Sequence, residues 1–253
     1  MKFEMSSSKR IPELKTLWKE AFNDTDEYID NFFETAYSDK RCMIASENDE
    51  VCGVIYWFDC NFFSYRIAYF YAIATKKSYR GMGVCTRLMD NAHSFLSSNG
   101  YDAVILVPGE RSLFDFYRNM GYTVGSYIDE ISVEAKDGPL DIREIDGYEY
   151  SELRKTYLPK NGVIQENENI KYLEKQAKLY TGEDFLLSCY VVDDVLMGIE
   201  LLGNTEIAPN IASALGCRKG KIRTVGDKKP FSMYYNLKNH TLPAVFYFGL
   251  AFD

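Results

Sequence analysis

The run Tyr71-Ala-Ile-Ala-Thr-Lys-Lys-Ser-Tyr-Arg-Gly-Met-Gly-Val-Cys-Thr-Arg-Leu-Met89 constrains the fold more than any other stretch of the chain. An aromatic-rich strand from Arg66 ends near Thr75, a short loop holds Arg80, Gly81 and Gly83, and a helix starts at once. Its apolar positions Val84, Leu88, Ala92 and Phe95 recur on one face, and Gly100 ends the run as a C-terminal cap. The first amides of such a helix have no internal partner, and glycines let the backbone approach a ligand closely, so the turn suits a phosphate. Between Lys76 and Arg87 stand four basic residues (Lys76, Lys77, Arg80, Arg87) and no acid, an island of +4 in a chain of net charge −8. The expected ligand is an anion but not a polyanion. Twenty-nine Lys and Arg against 37 Asp and Glu argue against a whole-protein grip on nucleic acid or on an anionic membrane.

Other chemistries fit the residues poorly. A dinucleotide-binding turn needs a third glycine where Thr86 stands, and its acidic partner, Asp102, lies at the wrong end of the next strand. Gly220-Lys221-Ile222 lacks the Ser or Thr of a P-loop, and no G-x-S-x-G elbow offers a serine nucleophile. Six cysteines (Cys42, Cys52, Cys60, Cys85, Cys189, Cys217) are scattered without a C-x-x-C pair, and His93 and His240 are the only histidines, so no metal site is expected. The thiols read as reduced and mostly buried. No signal-peptide core and no stretch of about 18 apolar residues is present, and a cytoplasmic address is the expectation. The sequons Asn23-Asp24-Thr25 and Asn239-His240-Thr241 then read as chance matches.

With 253 residues the chain makes one large domain or two small ones. Ile11 to Tyr37 carries apolar residues at helical spacing, broken at Asn23-Asp24-Thr25-Asp26, and predicts two helices. Cys42 to Ala45 and Val51 to Phe58 flank a turn at Asn48-Asp49-Glu50 and read as a hairpin; Asp102 to Val107 is a further strand. Ser112 with Asp115 reads as a capping box for a short helix carrying Leu113, Phe116 and Tyr117, closed by Gly121, and Thr123 to Ala135 returns to alternation. Lys136-Asp137-Gly138-Pro139 is the expected domain boundary, dividing the chain into 1–138 and 139–253. Beyond it, two helices and a hairpin (Phe185 to Val192, Val195 to Leu202) repeat the element order of the opening, a degenerate repeat in order only. The closing run from Pro243 to Asp253 reads as a buried strand.

The run Ile73-Ala74-Thr75, Tyr79-Arg80-Gly81-Met82-Gly83-Val84-Cys85 and Leu88 resembles the acyl-CoA motif of the GNAT superfamily of N-acetyltransferases, Arg/Gln-x-x-Gly-x-Gly/Ala after a strand. Phe114-Asp115-Phe116-Tyr117-Arg118-Asn119-Met120-Gly121-Tyr122 looks like that superfamily's second motif, a short helix ending in Tyr-x-x-x-Gly-aromatic. Together the two cover roughly residues 66 to 124; one departure is Cys85, where the family prefers Gly or Ala. The resemblance implies an α/β fold with a mixed, mostly antiparallel sheet flanked by helices, followed by a smaller, diverged C-terminal α+β domain of GNAT-like type. It implies acetyl-CoA as donor, its pyrophosphate held by amides of Gly81, Met82, Gly83, Val84, Cys85 and Thr86 with Arg80 in support. Main-chain groups of Ile73 and Thr75 would pair with the pantetheine arm, and an amide near Ala74 would polarise the thioester carbonyl. Tyr117 would be the general acid that protonates the departing thiolate.

The acceptor implied is a small-molecule or peptide amine, reacting directly in a ternary complex. Between Glu20 and Asp39 the chain carries seven acids and no base, so an acidic rim that draws a cationic amine is one reading and a solvated helix face the other. Glu110, Tyr69 and Tyr71 are further candidates for the base. Cys85 reads as a space-filler although a helix N-terminus lowers thiol pKa values, and His93 reads as solvated, opposite the apolar stripe. The second half, whose Ala214 to Ile222 is basic and glycine-containing but lacks the spacing, would shape the acceptor pocket or an oligomer interface such as that of a homodimer. The alternative on the same fold is a non-catalytic module that binds acyl-CoA or a protein.

Overall fold

The computed structural model describes residues 1–238, 242 and 245–252. Chain order begins with β1 (Lys2–Met5), α1 (Ile11–Phe22), α2 (Asp26–Thr35), β2 (Cys42–Glu47), β3 (Glu50–Phe62), β4 (Tyr65–Thr75), α3 (Val84–Ser98), β5 (Ala103–Leu106), α4 (Arg111–Asn119) and β6 (Thr123–Val124). It continues with β7 (Tyr127–Glu134), β8 (Arg143–Glu144), α5 (Gly147–Tyr157), β9 (Ile164–Gln165), α6 (Glu168–Gln176), β10 (Lys178–Thr181), β11 (Phe185–Val192) and β12 (Val195–Gly203). The last elements are α7 (Ala208–Ala214), β13 (Lys219–Val225), β14 (Lys229–Pro230) and β15 (Met233–Asn236). Two compact units result: Met1–Thr123 with Met233–Leu242, and Val124–Ser232 with Pro243–Asp253.

The first unit is built on the strand order β1-β2-β3-β4-β5-β15-β6; from β1 to β15 its neighbours are antiparallel except for the parallel pair β4–β5. Local chemistry starts and stops its elements where the sequence says it should. Asn23 closes α1 in the left-handed conformation at φ 59°, and the Thr25 hydroxyl accepts from the Tyr28 amide to open α2. Asn48 and Asp49, at φ 50° and 66°, supply the two left-handed residues of a tight hairpin turn. Strand alternation then divides the aromatics between the two faces of the sheet. Tyr56, Phe58 and Tyr71 meet Trp18 or Phe32 of α1 and α2 at ring separations of 5.0 to 6.0 Å, whereas Trp57 and Phe70 meet Phe95 and His93 of α3. The sheet is thus covered on both sides, with α3 held by its buried Leu88, Met89, Ala92 and Leu96.

The second unit follows the same plan. Its order β8-β10-β11-β12-β13-β7-β14 is again antiparallel except for one parallel pair, β12–β13, and α7 crosses between those two strands as α3 crosses between β4 and β5. Asp193 and Asp194, at φ 48° and 62°, make its hairpin turn with the same chemistry as Asn48-Asp49. The first sheet takes one strand from late in the sequence, and the strand next to the unit boundary joins the second sheet. β7, which follows β6, lies beside β13, and β15, which follows β14, lies between β5 and β6.

That arrangement corrects the expected boundary at 138. Ile128 to Glu134 pairs with β13, and the following Lys136 donates to Pro209 O at 3.0 Å while its carbonyl accepts from Asn210 Nδ2. The Gly138-Pro139 punctuation is therefore a connection inside the second unit. Two smaller expectations also fail. The residue before α4 is Glu110, with no side-chain cap; the Ser112 hydroxyl instead donates to the Glu110 carboxylate, so there is no capping box. The closing segment is buried at Leu242 and Phe246 to Phe252, but its described part makes only one bridge, Gly162 to Tyr247, and is not a strand. Pro243, Ala244 and Asp253 lie outside the described residues, as does the sequon at Asn239-His240-Thr241.

Candidate active site

β5 stops at Leu106, registered against Phe70, while β4 runs on to Thr75. Residues 71 to 75 therefore keep β3 on one side and have no strand on the other among the described residues. Within this stretch the register slips: Tyr56 opposes Tyr71 and Val54 opposes Ala74, so Ala72 and Ile73 share the single residue Ile55. This is a bulge, and Ala72 sits at φ 46° to make it. Lys76 N donates to Cys52 O at 3.0 Å, and antiparallel alternation then turns the Thr75 and Ile73 amides to the open edge and the Ala74 amide to β3. Ala74 is buried and committed to the ladder, so it cannot polarise a thioester; Ile73 and Thr75 hold the exposed edge.

At the end of that edge the chain makes a short turn (Lys77–Tyr79), passes through Gly81 and Gly83 at φ 76° and 71°, and enters α3 at Val84. A Cβ on either glycine would meet nothing within 4 Å, so glycine is needed here for conformation and leaves the approach to the helix end clear. Gly83 caps α3 without a side chain, and the first-turn amides of Val84, Cys85 and Thr86 point out of the helix unsatisfied. Arg80 Nε donates to Thr75 O at 3.1 Å and Arg87 reaches the carbonyls of Met82 and Gly83, so both guanidinium groups brace the turn from within. Lys76 is paired with Glu50, which reduces the charge island below the value counted from sequence. Glu20, at the end of α1, accepts from the Lys77 amide at 2.6 Å and fixes the turn from the other side. Neither glutamate is signalled locally, because both act across long sequence separations.

Cys85 is half-buried, and burial pushes its thiol up to about 11, overriding any help from the helix end. It donates weakly toward Met89 Sδ and fills space; it is no nucleophile. Tyr117, on α4, is 8% exposed and its hydroxyl has no hydrogen-bond partner among the described residues. Burial, with a smaller contribution from the Cys85 thiol, holds that hydroxyl well above the ordinary tyrosine range, so it carries its proton at neutral pH.

His93 is not solvated, as the helical stripe alone implied. It is 8% exposed, its Nε2 lies 2.7 Å from the Tyr122 hydroxyl, and its ring is sandwiched in parallel between Phe70 at 5.7 Å and Tyr235 at 4.4 Å. Desolvation lowers its pKa to about 4. The acids of α1 and α2 are largely taken up. Asp30 pairs with Lys15, Asp26 with Lys19, Asp24 accepts from Trp18 Nε1 at 2.8 Å, and Asp39 from the Tyr37 hydroxyl at 2.7 Å. The bases that answer them stand on α1, upstream of the window that held none, and Glu27 and Glu34 remain as exposed carboxylates. Of the other base candidates, Glu110 is engaged by Ser112, Tyr69 is buried, and the Tyr71 hydroxyl shares a 2.9 Å hydrogen bond with Tyr28. Among the described residues no group of three or more His, Cys, Asp or Glu could hold a metal ion, and no helix is long and apolar enough to cross a membrane.

The first unit thus has an α/β sheet with one splayed strand edge that leads through left-handed glycines to a helix end without a side-chain cap. Residues 3–125 match the family model described as an acetyltransferase (GNAT) domain, and the first unit accordingly carries a GNAT domain. A GCN5-related N-acetyltransferase from Kribbella flavida has a similar structure, with a TM-score of 0.68 at 16% identity over 92% of this chain and 70% of that one. A second, from Anabaena variabilis, gives 0.71 at 13% over 94% and 73%. Eis1 from Mycobacterium abscessus gives 0.68 at 12% over 93% and 73%. At these identities the likeness is one of fold. No curated protein sequence matches the chain.

Proposed function

We propose that the chain is an acetyl-CoA-dependent N-acetyltransferase acting on a small-molecule or peptide amine by direct transfer in a ternary complex. The observation that carries this reading is the continuous track from the open edge of β4, at Ile73 and Thr75, through the Gly81-Met82-Gly83 turn to the first-turn amides of Val84, Cys85 and Thr86, which have no partner within the helix. A pantetheine arm has amides that can extend β4 as an added strand, and a pyrophosphate suits the positive end of α3. The bulge at Ala72 and Ile73 is where such a strand would bring its thioester, and preorganised amides there stabilise the charge that develops on the carbonyl oxygen. The neutral amine nitrogen attacks the carbonyl carbon, the carbon–sulfur bond breaks, the thiolate takes the proton of Tyr117, and the proton shed by the acylated nitrogen passes through solvent to restore the Tyr117 phenol. A buried, protonated hydroxyl with no hydrogen-bond partner among the described residues is suited to that step.

Thiol release from acetyl-CoA, followed across a polyamine, an aminoglycoside and a lysine peptide, tests the reading. Tyr117→Phe is expected to lower kcat by at least about tenfold while acetyl-CoA still raises the melting temperature of the variant. Undiminished turnover in Tyr117→Phe removes the general-acid role. A wild-type chain that acetyl-CoA stabilises but that releases thiol with none of these amines is a binding module instead.

A further inference from the structure

Resting on the acetyltransferase reading above, we propose that Tyr235, from the C-terminal strand β15, is a positioning residue that sets the catalytic tyrosine through His93 and Tyr122. β15 runs antiparallel to β5 with Tyr235 registered against Val104. The Tyr235 ring stacks on the His93 imidazole at 4.4 Å and 5° and meets Tyr122 at 5.4 Å. It also seats against the turn that ends α4: a Cβ on Gly121, which is left-handed at φ 89°, would lie 3.2 Å from Tyr235 Cε2, a tight approach that the ring would have to yield to.

Tyr122 is the link to Tyr117. Its amide donates to the Tyr117 carbonyl at 3.0 Å, the two rings meet at 5.7 Å, and its hydroxyl is held by His93 Nε2 at 2.7 Å. His93 belongs to α3, whose first turn is the pyrophosphate site, and its second face rests on Phe70, the last residue of β4 before the open edge. One imidazole therefore touches the donor helix, the donor strand and the acid's turn, and Tyr235 closes the stack on the side away from Phe70. Without that ring His93 loses its 4.4 Å stacking partner and the Tyr122 to Tyr117 turn loses its backing. A displacement of the acid by a fraction of an ångström from the sulfur is enough to cost rate while leaving donor contacts in place.

The test separates positioning from mere packing. Tyr235→Ala is expected to lower kcat about tenfold with little change in the acetyl-CoA KM or in the donor-induced melting shift. Tyr235→Phe, which keeps the ring and drops a hydroxyl with no partner among the described residues, is expected to retain near wild-type kcat. In a Tyr117→Phe background, Tyr235→Ala is expected to cost nothing further, because there is no acid left to position. Additive losses in the double variant, an unchanged kcat in Tyr235→Ala, or a Phe variant as slow as Ala each overturn the proposal. A wild-type chain that neither binds acetyl-CoA nor releases thiol overturns the acetyltransferase reading itself, and this one with it.

Discussion

Gly81 and Gly83 are held by the sign of φ and not by lack of space, which makes their role separable from packing. Gly83→Ala is expected to cost about 1 kcal/mol of stability from left-handed strain and to weaken acetyl-CoA binding. Gly100→Ala provides the control. It is also left-handed, at φ 83°, with nothing within 4 Å, but it lies at the far end of α3. A similar stability loss with unchanged donor affinity is expected there, and calorimetric titration of both variants checks it. His93 gives a second residue-scale prediction. Its folded pKa, about 4, lies below the ordinary 6.5, so the unfolded chain takes up a proton first as the pH falls. The stability contributed by the neutral imidazole is complete above pH 6.5 and is lost toward pH 4, with a slope of at most about 1.4 kcal/mol per pH unit. Denaturant titrations at pH 7, 6 and 5 are expected to show this slope in the wild type, and a shallower one in His93→Gln. Equal slopes would mean that His93 titrates alike in the folded and unfolded chains, and a shallower wild-type slope that it is charged in the folded state.

Elements were legible in the sequence where neighbours in the chain decide them. The paired hairpins turned at Asn48-Asp49 and Asp193-Asp194, the break between α1 and α2 and the glycine turn before α3 all follow from local conformational preference. What stayed hidden depends on partners far away. The bulge that opens β4 is set by its register against β3, and the burial of His93 by a ring more than a hundred positions downstream. The pairing of the acidic helices is hidden for the same reason, since Lys15 and Lys19 reach across from α1. The turn itself depends on such a remote partner, because Glu20 accepts its Lys77 amide. Glu20→Ala is expected to raise the acetyl-CoA dissociation constant roughly tenfold, the low end of one lost charged hydrogen bond, with a melting temperature within a few degrees of wild type. An unchanged dissociation constant would mean that the turn holds its shape unaided.

The two units share one strand plan, the first completed by β15 from late in the sequence, and they differ in what each can do. A cut at the Gly138-Pro139 connection would leave the first unit without β15 and would carry β7 away from β13, so neither product keeps its sheet. The copies also differ where a donor would lie. In the first, β4 and β5 part after Phe70; in the second, β12 and β13 stay together from Val195 and Lys219 to Leu201 and Thr224, and Thr224 Oγ1 donates to Leu201 O at 2.8 Å across the seam. The helix that follows is short, opens with Pro209 in its first turn and with Glu206 just before it, and has no glycine pair to expose amides to a phosphate. An added strand has no edge to join there, and an anion meets a missing donor and a like charge. The expected stoichiometry is therefore one acetyl-CoA per chain. Isothermal titration of the full chain checks it. A single site abolished by Gly83→Asp is the outcome expected from a closed second seam, and a second equivalent that survives that substitution would show that the diverged copy binds donor after all.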